Sequence, residues 1–143
     1  MIGDLLAGLL GGMVGDGLYE TIRRRRLARA DAEGRPLEFP GSVLGSTRYC
    51  HPAGGLLRLD GTTLTWLTGK GGISFPVPSE RLDVRELAEV GLSESFAGRS
   101  TVAVVCDDAG ATVRVVVLGA DLPYLARALP GIEPLLEAEA RGE

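Results

Sequence analysis

From about residue 55 to residue 119, apolar and polar positions alternate in short runs that glycine turns interrupt. Residues 56–59 and 62–67 flank Asp60-Gly61. Asp-Gly between two alternating runs predicts a hairpin, because both central positions call for positive φ. Leu57 and Leu59 then share one face of the first arm, and Leu64 and Trp66 share one face of the second, leaving Arg58, Thr63 and Thr65 to water. After a turn at 69–72, a third run places Ile73, Phe75 and Val77 on one face. Pro76 and Pro78 interrupt it, which predicts a short, edge or bulged strand. Residues 81–90 fit two periods: Val84, Leu87, Ala88 and Gly91 follow helical spacing, while 82–84 and 88–90 alternate. We read a strand over about 82–90, then a loop at 93–100.

Residues 101–106 form an apolar run with few polar interruptions. Residues 107–110 turn it back, and 112–118 return as its hairpin partner. Val102, Val104, Val115, Val117 and Trp66 are the expected core, and a buried Trp66 needs a partner for its N–H. Asp121 is placed to cap a closing helix with Leu122, Leu125 and Leu129 on one stripe, stopping at Pro130-Gly131. Upstream, 42–50 reads as the first strand and 51–55 as the following turn. A short second helix is expected from Ile132.

The N-terminal pattern is of another kind. At helical spacing over residues 2–22, Gly3, Ala7, Gly11 and Gly15 form one small-residue stripe, and Asp4, Gly8, Gly12 and Asp16 form the stripe beside it. Ile2, Leu5, Leu6, Leu9, Leu10, Met13 and Val14 fill the opposite half. Each glycine weakens a helix by about 1 kcal/mol relative to alanine. Such a helix therefore needs a lipid surface, a partner helix or the body of its own domain. Small-residue stripes let helix backbones approach closely. A membrane span wants about 20 apolar residues, and only eleven lie between Asp4 and Asp16. A span, an interfacial or self-associating helix, and a helix docked on its own domain all stay open.

Arg23, Arg24, Arg25 and Arg26 follow directly, with Arg29 nearby. A basic cluster after an apolar segment matches the positive-inside pattern and attraction to anionic lipid. The alternative is a solvated helix end whose arginines complement the dipole. No aromatic residues interleave with the cluster, which argues against nucleic acid.

Composition narrows the picture. A chain of 143 residues can bury one real core. Its net charge of −4 argues against binding duplex nucleic acid by bulk charge. Cys50 and Cys106 are too few for a disulfide framework, and Cys106 alternates with Val102 and Val104 as a small buried hydrophobe. The basic n-region and small-residue cleavage site of a secretory signal are missing, so the expected location is cytoplasmic and membrane-associated. The expected organisation is an N-terminal helix with its arginine cluster and a linker at 30–34 (1–34), a strand-rich domain with its closing helix (35–131), and a C-terminal helix or tail (132–143).

Candidate chemistry is sparse. Cys50-His51 suggests a nucleophile and base, but neighbours in an extended segment point to opposite faces, and the chain has a single histidine. Cys50, His51 and Cys106 lack metal-ligand spacing. The 69–72 turn lacks the following helix and Ser/Thr of a phosphate loop. No enzyme activity, cofactor, metal or nucleotide is expected.

About seven strands followed by a C-terminal helix resembles the pleckstrin-homology-like fold. The residues that carry the resemblance are Gly55-Gly-Leu-Leu-Arg-Leu-Asp-Gly, Thr63-Leu-Thr-Trp, Phe75-Pro-Val-Pro and Asp121-Leu-Pro-Tyr-Leu-Ala-Arg-Ala-Leu. The whole plan also resembles uncharacterised actinobacterial proteins with an N-terminal apolar segment, an arginine cluster and such a domain. The resemblance implies an α+β, mainly β fold: a small barrel of about seven antiparallel strands closed by a C-terminal helix and preceded by a separate N-terminal helix. It also implies a module that binds lipid headgroups, peptides or other domains. Phosphoinositide-binding members carry basic residues at the end of the first strand and twice on the second. Arg48 and Arg58 match two of those positions, and Asp60 stands at the third. Arg48, Arg58 and Lys70 are the candidate ligand-facing residues. The expected function is a non-enzymatic binding or scaffolding module held at the cytoplasmic membrane face by its first helix. The alternative is a soluble assembly subunit that self-associates or docks a partner through Gly3, Ala7, Gly11 and Gly15.

Overall fold

The computed structural model describes residues 12–68, 73–90 and 101–142. The chain divides into two compact units, Met1–Leu37 and Glu38–Glu143. The first contains helix α1 (Gly12–Ala32). This helix carries the arginine cluster and runs through most of the stretch expected to be a linker. Its end has a physical cause in Gly34. With φ +71°, Gly34 turns the chain into the left-handed region. The Gly34 N–H donates to the Asp31 carbonyl (3.1 Å) and the Arg35 N–H to the Ala30 carbonyl (2.8 Å). That bond pair is a Schellman cap, which satisfies carbonyls the helix leaves open.

The alternating runs become seven strands: β1 (Leu37–Gly45), β2 (His51–Asp60), β3 (Thr63–Thr68), β4 (Ser74–Val77), β5 (Asp83–Glu89), β6 (Thr101–Asp108) and β7 (Ala111–Leu118). They form one sheet in the order β4-β3-β2-β1-β7-β6-β5. The β1–β7, β2–β3, β3–β4, β5–β6 and β6–β7 pairs are antiparallel. A 3-10 turn (Gly119–Asp121) leads into α2 (Leu122–Leu125) and then α3 (Ile132–Ala140). The architecture is α+β and mainly antiparallel sheet.

The sheet is not closed, which corrects the expected barrel. Among the described residues β4 and β5 stand at the two ends of the order, and no ladder joins them. The sequence supplies a reason at one end. β4 has four residues, and Pro76 within it has no N–H to give a further strand. At the other end, β5 carries a register irregularity between Val84 and Glu86, and such bulges bend a strand away from regular pairing.

Besides the closing helix, whose α-helical part ends at Leu125 and not at Pro130-Gly131, three boundaries differ from the sequence reading. β1 begins five residues earlier than expected, so Pro40 and Gly41 lie inside a strand, and 51–55 open β2 instead of forming a turn. In the β2–β3 hairpin Asp60 pairs with Thr63. The central residues are thus Gly61 and Thr62, and only Gly61 has positive φ (+64°), the pattern of a type II′ turn. Both central residues of the β6–β7 turn, Ala109 (+52°) and Gly110 (+94°), have positive φ. Asp121 is the third difference. It is buried within the 3-10 turn with helical φ/ψ and makes no side-chain capping bond to α2.

Register aligns the core on one face. Val43 is opposite Val115, Val115 opposite Val104, Leu57 opposite Trp66, and Leu64 opposite both Leu59 and Val77. All of these are buried, as are Phe39, Cys106, Val113 and Val117. Leu122, Leu125, Leu129 and Ile132 of the C-terminal helices are buried too. Val102, expected in the core, stays half-buried opposite Glu89 at the last paired position of β5. Trp66 donates its N–H to the Gly41 carbonyl (3.2 Å), the partner that burial demanded.

Gly55 shows how tightly this face is packed. A Cβ there would collide with the Leu67 backbone carbonyl and lie 2.9 Å from the Trp66 ring. Gly55→Ala is expected to lower stability by about 1–3 kcal/mol, because neither the backbone oxygen nor a fully buried indole can yield freely. Urea denaturation checks this. An unchanged midpoint would mean that the β2–β3 pair can spread without penalty.

Candidate binding surfaces

α1 has two faces, one buried and one exposed. Arg23, Leu27 and Ala30 are buried and share one stripe at helical spacing. Leu18, Tyr19 and Ile22 are exposed, at 55%, 53% and 40%. Arg25, Arg26 and Arg29 are exposed as well and continue the same side of the helix toward its C-terminus. Arg24 is exposed between the two faces. Glu20 takes two bonds from Arg23, from Nε at 3.1 Å and Nη2 at 2.7 Å, and lies 3.5 Å from Arg24 Nε. The five arginines therefore separate, with Arg23 packed and paired and the other four presented outward. Gly15 lies in α1, while Gly3, Ala7 and Gly11 lie outside the described residues. Among the described residues no helix is long and apolar enough to cross a membrane.

The sheet unit has a polar centre assembled from residues far apart in the chain. Asp108, at the end of β6, has a side chain only 5% exposed. It accepts the Tyr49 hydroxyl at 2.5 Å, and Arg81 through Nε at 2.9 Å and Nη2 at 3.0 Å. One buried carboxylate thus ties together the β1–β2 loop, the β4–β5 connection and the β6–β7 corner. The Arg81 guanidinium, and next to it the Tyr49 hydroxyl, hold the Asp108 carboxyl below its usual range. Burial, reinforced by the bond to Asp108, raises the Tyr49 phenol from 10.0 to about 12.

The signs of these shifts predict opposite pH limits. Asp108 has a depressed folded pKa, so its contribution is complete above the ordinary carboxylate range and fades as pH falls through the depressed value. Tyr49 has a raised folded pKa, so its contribution is complete below about pH 10 and fades between about 10 and 12. We expect the last phenolate absorbance step of the native protein near pH 12, together with a loss of stability over the same interval. In Tyr49→Phe the absorbance step should be missing and the loss of stability smaller, the remainder coming from the buried Cys106 thiol, which is also raised to about 12. A parent protein whose phenols have all ionised well before pH 12 would contradict this.

Arg81 opens onto a cleft of about 910 Å³ that Arg48 and Arg127 also line. Of the candidate ligand-facing residues, Arg48 alone is placed there. Arg58 lies on the opposite face of the sheet, where it pairs with Glu38 at 3.0 Å, and Lys70 is outside the described residues. Tyr49 and Asp108, separated by 59 positions, were beyond the reach of sequence spacing. The same holds for Arg81 and Arg127. The one usable sign was a paired Asp107-Asp108 ending a strongly apolar strand.

The remaining candidates take structural positions. Cys50 Sγ lies 2.9 Å from Thr47 Oγ1, and the His51 ring stacks on Trp66 with centroids 4.9 Å apart. Cys106 is buried, and burial lifts its thiol to about 12, as befits a small core residue. Among the described residues no group of three His, Cys, Asp or Glu side chains could hold a metal ion. Comparison with family models, with curated proteins and with solved structures returns no match.

Proposed function

We propose that this chain is a non-enzymatic binding module of pleckstrin-homology-like architecture, held at an anionic membrane surface by its first helix. The observation that carries the reading is the outward face of α1, where exposed Leu18, Tyr19 and Ile22 are followed by exposed Arg25, Arg26 and Arg29. Apolar side chains beside arginines suit the boundary between acyl chains and anionic headgroups. The cytoplasmic leaflet supplies such headgroups, at about 1 kcal/mol per arginine near the surface. The fold part of the reading draws support from the strand order. Two runs of adjacent strands, β1 to β4 and β5 to β7, meet at the β1–β7 pair, and helices follow the last strand.

Co-sedimentation with vesicles tests it. The full chain should bind phosphatidylserine-containing vesicles, bind neutral ones weakly, and release as salt rises. Replacing Arg24, Arg25, Arg26 and Arg29 with glutamine removes four charges, so affinity should fall by roughly two to three powers of ten at low salt. An intact chain that stays in the supernatant with anionic vesicles would refute the reading. So would binding that four glutamines leave unchanged.

A further inference from the structure

The cleft in the sheet unit combines an apolar floor with a basic rim. Phe75, Val77 and Leu82 line it from β4 and the connection to β5, and Leu129 lines it from the turn before α3. Arg48, Arg81 and Arg127 line it from three distant parts of the chain, and all three are exposed. Two carboxylates, Glu80 and Asp83, line it as well. Asp83 is already paired with Arg85 at 3.1 Å. The lining is thus basic in balance, within a chain whose net charge is −4.

Arg81 is pre-set. Asp108 holds its Nε and Nη2, Tyr49 holds Asp108, and the side chain is still 62% exposed. The guanidinium is therefore fixed in orientation, and neither bond to Asp108 uses Nη1. A donor fixed in advance loses little freedom when a ligand arrives. Arg127 is steadied in its turn over the Tyr124 ring, 5.4 Å from the centroid. Among the described residues Arg48 makes no ion pair or hydrogen bond.

We propose that this cleft binds a small amphiphilic anion, a carboxylate or phosphate monoester on an apolar body. Arg48, Arg127 and Arg81 Nη1 meet the anion, since guanidinium groups match the oxygens of both anions. Phe75, Val77 and Leu82 receive the body. A bare inorganic anion leaves that floor in water. An added peptide strand lacks a continuous ladder here, because Pro76 and Pro78 remove alternate N–H donors from the rim of the cleft. The volume is that of a small-molecule site. The described lining residues belong to the sheet unit, so the inference does not rest on the membrane reading.

Calorimetry on the full chain with octyl phosphate, inorganic phosphate and octanol tests it. Octyl phosphate should bind at one saturable site. Inorganic phosphate and octanol should each bind at least about tenfold more weakly, since each offers half of the recognition. Combining Arg48→Gln with Arg127→Gln, both on the surface, should weaken octyl phosphate about a hundredfold. The glutamine variant of Arg24, Arg25, Arg26 and Arg29 should bind octyl phosphate as the parent does, while it releases vesicles. The proposal is overturned if octyl phosphate fails to bind at about 1 mM. It is also overturned if octyl phosphate binds no better than inorganic phosphate, if the double variant binds as tightly as the parent, or if the α1 variant loses binding.

Discussion

Val104→Asp is expected to leave the chain unfolded, or close to it, at room temperature. Val104 is fully buried at the middle of β6, with Val115 opposite it on β7 and Leu87 opposite it on β5. The substitution removes an apolar side chain worth about 1.5–3 kcal/mol of burial. It also puts a carboxylate where it must either ionise in apolar surroundings or take up a proton. Together these exceed about 4 kcal/mol, against a total stability of about 5–15 kcal/mol for a typical domain. Circular dichroism and urea titration would show the loss directly. A variant that melts with the parent would place Val104 at the surface and undo the register described for β5, β6 and β7.

Trp66→Ala should be nearly as damaging, at about 3–5 kcal/mol. The indole is fully buried in a cluster with the rings of His51 (4.9 Å) and Phe75 (5.7 Å), and its N–H donates to the Gly41 carbonyl. One side chain therefore joins β1, β2, β3 and the β4 edge. Trp66→Phe removes the donor but only part of the ring system, so it keeps some of the packing. Its loss should be the smaller of the two. Trp66 is the single tryptophan, so far-UV circular dichroism must replace fluorescence as the readout. An alanine variant with an unaltered urea midpoint would show that the sheet does not depend on this anchor.

What could be read from the chain follows the range of each interaction. Period-two alternation is local, and it located the hairpin arms around Gly61 and Gly110 and the strand at Asp83–Glu89, even though helical spacing competed there. β1 was misplaced for a tertiary reason. Pro40-Gly41-Ser42 has the composition of a turn, yet Gly41 lies where the Leu57 side chain leaves no room for a Cβ, and its carbonyl is the acceptor for Trp66. Neither fact is visible without the neighbouring strands. The hairpin turn sits one residue later than Asp60-Gly61 suggests, because Asp-Gly can occupy either the centre or the start of a tight turn. The candidate site was least legible. Arg48 was singled out by position, but the residues beside it, Tyr49, Arg81, Asp108 and Arg127, are brought together only by the fold of the sheet. The arginine cluster was legible as a cluster. That Arg23 is buried and bonded to Glu20 while its neighbours are exposed cannot be told from a run of four identical residues.

Among the described residues the sheet ends at β4 and β5, and an unpaired border is a template on which identical molecules could stack into fibres. Here the short β4 border carries proline where a growing fibril needs an amide hydrogen. The β5 border is kinked by its bulge and studded with Asp83, Arg85, Glu86 and Glu89. Replacing Pro76 would leave the monomer largely intact while removing one barrier to polymerisation. The harm would fall on concentrated or long-stored solutions, where turbidity and thioflavin signal would rise although the melting curve hardly moves.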